Sequence, residues 1–328
     1  MSDWVSTVFI ATYNMSNYLD EAHRADIVKL STSFASQTEW PTWLLLVGFY
    51  LAWTLVIFYG QALGGLFTVV VLIPLIVLWM SIQHELIHGH PTRWPALNRA
   101  LGFLPFAVWY PYDIYRDTHL AHHNDADLTV PGRDPESRYV TRDFWLQSPS
   151  YLRALLWANK TLAGRLLMGA PLTVMAFLGS EIRGLFRTGQ STWQVWAVHV
   201  PSVVVMLFLV EQYSAISAVQ YLCLVSLPAL SISMIRSFYE HRPSALPEHR
   251  TVINESSGLL SWLFLNLNLH LVHHDLPGLP WFYLPRVYRA RREQWIARNN
   301  GYVIHGYFQL LHRHLVSPVD CPRHPAQQ

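Results

Sequence analysis

The chain has 328 residues, 52% of them hydrophobic and only 13% charged, where an average soluble domain carries roughly a quarter charged residues. That balance excludes an ordinary soluble fold and indicates a polytopic membrane protein. The net charge of +2 offers no surface for nucleic acid, and two cysteines, Cys223 and Cys321, argue against a disulfide framework and are too few for a cysteine metal site.

Residues 1–41 are mixed in character, lack the basic-then-apolar order of a signal peptide, and read as an interfacial lead-in. Residues 42–60 and 65–82 are two charge-free runs joined by Gln-Ala-Leu-Gly. Each is about the 20 residues that cross a hydrocarbon core as helix, so they predict a transmembrane hairpin spanning 42–83. A second pair, 193–210 and 213–235, joined across Glu211 and Gln212, predicts another over 193–235. No Lys or Arg occurs in either hairpin, whereas nine lie between Arg93 and Arg165 and ten between Arg236 and Arg323. The positive-inside tendency puts both blocks on the cytoplasmic side. The expectation is an all-α integral membrane protein of four spans, one domain over 1–328, with both termini inside and a cytosolic helical cap from 84–165 and 236–315.

Residues 166–179 are apolar but short and interrupted by Gly169 and Pro171, which suits an interfacial or re-entrant helix. A full crossing there would separate the histidine clusters described next. The aromatic and proline-rich run 101–112 is expected at headgroup level, 125–137 as an ordered polar loop, and the segment from Val316 onward as frayed.

Three clusters carry the chemistry: His84-Glu-Leu-Ile-His88-Gly-His90, His119-x-x-His122-His123 and His270-x-x-His273-His274. Imidazole suits iron, zinc and copper. His84 and His88, four apart, share a face if the second span continues as helix. Adjacent histidines fan out in two directions and can serve two different metals. The set exceeds the four to six ligands of one ion, so two ions are expected. Imidazoles with little carboxylate point to redox iron rather than magnesium or calcium. The first cluster alone is also the His-Glu-x-x-His pattern of zinc proteases, in which Glu85 would be a general base, but a zinc site leaves the other clusters unexplained. Core histidines without metal are costly in apolar surroundings. His199, beside Pro201 inside the third span, reads as a tunnel or packing residue. His249, His305, His312, His314 and His324 read as solvated.

The sequences HELIHGHP (84–91), HLAHHND (119–125) and NLHLVHHDLP (268–277) together resemble the three histidine boxes of the membrane fatty acid desaturase superfamily, over roughly residues 78–285. The resemblance implies a four-span protein with a cytosolic cap, two non-haem irons, O2 as co-substrate, a fatty acyl substrate whose carrier stays open, and membrane lipid as surroundings. It also implies electrons from a separate donor, of the ferredoxin, rubredoxin or cytochrome b5 type, and the chain has no recognisable fused haem or iron-sulfur domain. Arg-Ser-Phe-Tyr-Glu-His (236–241) is similar to a further family ligand after the last span, which adds His241 to His84, His88, His119, His122, His123, His270, His273 and His274. Glu85, Asp125, Asn268 and Asp275 are candidates to support the imidazoles, and His90 reads as a pocket residue more than a ligand. No catalytic side chain beyond the ligands is expected. The same ligand set would serve desaturation, the leading expectation, and equally hydroxylation, ketolation or oxidative decarboxylation to a terminal alkene. A metal-handling or lipid-binding membrane protein is the non-enzymatic alternative.

Overall fold

The structure, a computed structural model, describes residues 19–124, 126–186, 192–237 and 239–325. It is mostly helical, and five of its helices are long and apolar enough to cross a membrane. These are α2 (Trp40–Leu63), α3 (Gly65–Ile87), α6 (Leu162–Leu185), α7 (Trp193–Tyr213) and α8 (Ala218–Ser237). The other labelled helices are α1 (Glu21–Ser31), α4 (Pro95–Gly102), α5 (Tyr112–His122), α9 (His270–Asp275) and α10 (Tyr307–His314). One two-residue parallel pair, β1 (Ile253–Asn254) with β2 (Val303–Ile304), interrupts the all-helical expectation.

Pro41 sits in the first turn of α2, where its missing N–H costs nothing. The helix stops at Gly64, whose φ of +86° is accessible to glycine without a side-chain penalty, and the chain reverses at once into α3. That helix runs to Ile87, so His84 and Glu85 lie on a continuous extension of the second hairpin helix and His88 caps it. In the second pair the reversal is later than expected: α7 continues through Glu211 and Gln212, and the turn is 214–217. Ser217 starts α8 with a capping box, its hydroxyl accepting from Gln220 N–H and Gln220 Oε1 accepting from Ser217 N–H. Glu211 Oε2 also accepts from Ala218 N–H at 2.6 Å, so the residues expected in the turn brace it from the helix.

The length argument against 166–179 does not hold. The helix gains residues at both ends, takes in Gly169 and Pro171, and includes a π-helical stretch, Arg165–Gly169. Its two ends have traceable partners. Ala163 N–H donates to Leu315 O at 2.9 Å, while Glu181 Oε2 accepts from Thr192 Oγ1 at 2.6 Å and Trp196 Nε1 at 2.9 Å.

The run 101–112 packs among the long helices. Phe106 packs against Phe49, Trp53 and Trp79 with ring centroids 4.6–5.2 Å apart, and Trp53 lies about 20 Å along α2 from its start at the helical rise per residue. The segment therefore dips among the long helices. Non-helical backbone at that depth requires protein partners, and the side chains supply them. Leu101 O accepts from Tyr50 Oη at 2.6 Å, Gly102 O from Gln83 Nε2 at 2.7 Å, Phe106 O from Tyr221 Oη at 2.9 Å and Ala107 O from Ser226 Oγ at 2.7 Å.

Three further parts of the chain pack more closely than expected. Ile27 and Leu30 of α1 join a core with Leu271, Val272 and Trp295, so this part of the lead-in packs on α9 and the segment that follows it. Residues 317–325 are held rather than frayed, 326–328 lying outside the described residues: Val319 N–H donates to Lys160 O at 2.8 Å, Val140 N–H to Pro322 O at 2.9 Å, and Tyr139 Oη to the Asp320 carboxylate. His324, expected in solvent, is 3% exposed with Nε2 3.0 Å from Thr129 Oγ1.

Gly102 closes α4 where α3 and α5 approach. A Cβ there would overlap the Tyr112 ring and stand 2.9 Å from Leu86 Cδ1. Gly102→Ala should cost about 1–3 kcal/mol, as overpacking does, and lower the midpoint of thermal unfolding in detergent. An unchanged midpoint would contradict this packing.

Candidate metal centre

Chain segments far apart in sequence deliver nine imidazoles to two points. His84, His88, His119, His123 and His273 form one group, and His122, His241, His270 and His274 the other, with the ligand-capable atoms of each within 4.8 Å of one another. The helical period explains the sharing. On α3, His84 and His88 are one turn apart and project together. On α5, His119 and its turn-mate His123 go to the first group, while His122, a residue away in angle, faces the second. On α9 the same division sends His273 to the first group and His270 with His274 to the second. His241, four residues beyond α8, closes the smaller group, its Nε2 3.1 Å from the Nε2 atoms of both His122 and His270.

Hydrogen bonds on the outward side determine which nitrogens face inward. His119 Nδ1–H donates to Glu136 Oε1 at 2.9 Å and His122 Nδ1–H to Asp134 Oδ1 at 2.8 Å, since an ionised carboxylate only accepts. Their Nε2 atoms therefore carry bare lone pairs. Those lone pairs point at other imidazole nitrogens: His119 Nε2 is 3.0 Å from His88 Nε2 and 3.1 Å from His123 Nε2. His273 Nε2 is 3.3 Å from His123 Nε2. Neither ring nitrogen of buried His84 has a hydrogen-bond partner among the described residues. Unpaired buried polar atoms are costly, and a cation at each point of convergence satisfies them. The donor set, imidazole nitrogen without thiolate, fits iron, zinc, copper or nickel and not calcium or magnesium.

Protonation is set for the same purpose. Burial, with mutual proximity adding to it, holds His88, His123, His241, His270, His273 and His274 well below the ordinary histidine range, so their lone pairs are free at neutral pH. His119 is also lowered, burial outweighing Glu136. His122 moves upward: burial opposes protonation, but Glu136 and Asp134 prevail.

The candidate supporting residues lie as follows. Glu85 Oε1 stands 3.6 Å from His84 Nδ1, adjacent but beyond hydrogen-bond range, and Oε2 is 3.4 Å from Trp281 N. Asp275 lies 3.5 Å from the Arg298 guanidinium. Asn268 donates to Asn254 O at 2.7 Å and so fixes the approach to α9. Asp125 falls outside the described residues. His90 joins neither group: it is fully buried, its Nδ1 2.6 Å from Glu39 Oε1 and its ring bonded to the backbone at Pro277. Near the imidazoles, and not among the candidates, are also Asp134, Glu136, Glu240, whose Oε1 is 3.5 Å from His270 Nδ1, and Thr251, whose Oγ1 is 3.2 Å from His241 Nδ1. The acid-rich loop following the second box was the only signal for the first two, and it does not say which acids turn inward.

The family model described as Fatty acid desaturase matches residues 62–306. No curated protein matches the chain.

Asp134→Asn and Glu136→Gln should each weaken metal retention by about 10–100-fold, the usual effect of losing a ligand's outer partner, read as metal per chain after dialysis against a graded chelator; parent-like retention in both would contradict these contacts. Because the depressed imidazoles take up protons on unfolding before they do when folded, the unfolded chain binds more protons below about pH 6.5. Stability of metal-stripped protein should thus fall with falling pH through that range. A melting temperature that rises on acidification would contradict the buried, neutral imidazoles.

Proposed function

Because the chain belongs to the fatty acid desaturase family, we propose that it is a membrane-bound, non-haem di-iron enzyme that desaturates a long-chain fatty acyl substrate. The single observation that carries the reading is the pair of imidazole groups, the ligand-capable atoms of each within 4.8 Å of one another. His84, His88, His119, His123 and His273 would hold one iron and His122, His241, His270 and His274 the other. When bound, the irons supply oxygen activation; electrons come from a separate one-electron donor protein. The balance is removal of two hydrogens from adjacent carbons, which with O2, two electrons and two protons yields an alkene and two waters.

The protein's own part is to orient ligands and present the chain. Glu136 and Asp134 fix the tautomers of His119 and His122. Met80 lies one turn before His84 on the same face of α3 and, together with Trp109, packs on Val174, Leu230 and Met234. This apolar cluster sits directly on the membrane side of the larger imidazole group, where an acyl chain can be held with water excluded.

A four-span topology supports the same reading. The second and third boxes meet, so an even number of crossings separates them, yet three of the five candidate helices lie between them. The helix to omit is α6. It is the least apolar of the five, and both its ends are tied to the cap end of the molecule. Its start bonds Leu315 beyond α10, and Glu181 near its finish bonds the first turn of α7. The spans are then α2, α3, α7 and α8, with α6 along the interface and the site on the side of the basic blocks.

Purified protein should carry roughly two irons, one per imidazole group, and expression with isotope-labelled fatty acids should yield alkenes by mass spectrometry. His119, His123, His270 and His274 substitutions should each abolish turnover, and His312→Ala should be nearly silent. Stoichiometric zinc with no iron-dependent product would sink the proposal, and an alcohol or a terminal alkene shortened by one carbon would redirect it to hydroxylation or decarboxylation.

A further inference from the structure

His199 is an intramembrane histidine that the metal groups leave unused. It is 5% exposed, and the only buried residues of α7 are His199, Met206 and Val210. A histidine at such depth is costly without a specific partner. Its partner is the dipping segment: His199 Nε2–H donates to Val108 O at 2.7 Å. Val108 has φ of +72°, the left-handed region that a β-branched residue enters only under strain. Four residues later α5 begins, and that helix, with its cap residue His123, supplies three of the nine imidazoles.

We propose that His199 is a positioning residue: its bond to Val108 O latches the 103–111 segment in its left-handed conformation and thereby holds α5 where His119, His122 and His123 reach their two groups. Phe106 O and Ala107 O are held by Tyr221 and Ser226 of α8, so His199 is the anchor of the same segment to α7. The strained residue, the donor and the start of α5 lie in one short path. Without the donor, Val108 relaxes toward negative φ, and the change in chain direction is passed directly into α5. The inference rests on the reading of the α5 histidines as ligands.

The test uses the full-length protein in detergent or nanodiscs and reads iron per chain together with amide exchange across 103–118, the latter in loaded and chelator-stripped protein. His199→Phe should lose more than half of its iron and exchange about tenfold faster over that stretch, as expected for a lost bond and a stranded carbonyl. His199→Gln, which keeps a donor, should recover most of the loss. Glycine enters the left-handed region freely, so H199F/V108G should regain iron and slow exchange while Val108→Gly alone stays close to the parent. If His199→Phe does not accumulate, recovery of folded protein in H199F/V108G supports the latch and its failure overturns it. Parent-like iron and exchange in His199→Phe, or no recovery with Val108→Gly, also overturn it. A parent protein that binds no metal but shows this exchange pattern would remove the ligand reading and leave the latch standing.

Discussion

Everything in the fold answers to the mutual approach of nine imidazoles. The inner nitrogens crowd to within 3.0–3.3 Å of one another, with too few N–H groups to pair them all, in surroundings from which water is largely excluded. Such an arrangement is not self-stabilising. It must be imposed by elements rigid enough to hold it, and it ceases to be a cost once the nitrogens share an ion. The cap is built to impose it: α3 extends beyond its apolar part to bring His84 and His88, α5 and α9 each split their histidines between the two groups, and His241 comes from the chain just past α8. The outward nitrogens of His119 and His122 are committed to carboxylates, which leaves the inward ones no alternative tautomer.

The membrane part meets the complementary demand. Four of the five dipping-segment carbonyls that find side-chain partners do so within α2, α3 and α8, and the fifth finds His199 on α7. In a hydrocarbon solvent each bond is needed simply to make the backbone tolerable. In this chain the same bonds also orient the approach to α5. A requirement of the bilayer thus doubles as a constraint on the metal centre, which is why an aromatic, proline-rich connection is found where a plain surface loop would satisfy connectivity.

Much of this was legible in residue order because it depends on local periodicity. Charge-free runs of about 20 residues mark hairpin helices by the thickness of the bilayer alone, and i, i+3 and i, i+4 spacing places histidines on shared or diverging faces. What was not legible depends on tertiary partners. Residues 101–112 have the composition of an interfacial belt, and only the hydroxyls of Tyr50, Tyr221 and Ser226 reveal that the segment goes deeper. Asp134 and Glu136 share a loop with several other polar groups, and nothing in the sequence says that these two turn toward His122 and His119. The segment after Val316 lacks periodicity, yet its backbone pairs with Val140 and Lys160. His324 is buried for the same reason.

The first box admits a proteolytic reading that the surroundings of Glu85 do not favour. A general base must approach the reacting atoms on the open side of the metal, and a single zinc needs one further ligand with a vacant position. Glu85 is 2% exposed, with one oxygen toward the Nδ1 side of His84 and the other near Trp281 N, so its carboxylate is directed at the scaffold. Around His84 and His88 stand not one additional imidazole but three, His119, His123 and His273. Five nitrogen donors crowd the space a peptide carbonyl would need, while the neighbouring four-imidazole group has no part in peptide hydrolysis. Two adjacent imidazole-rich groups beside an apolar cluster suit the proposed redox chemistry on a hydrocarbon, in which Glu85 would shape the environment of His84 rather than take a proton.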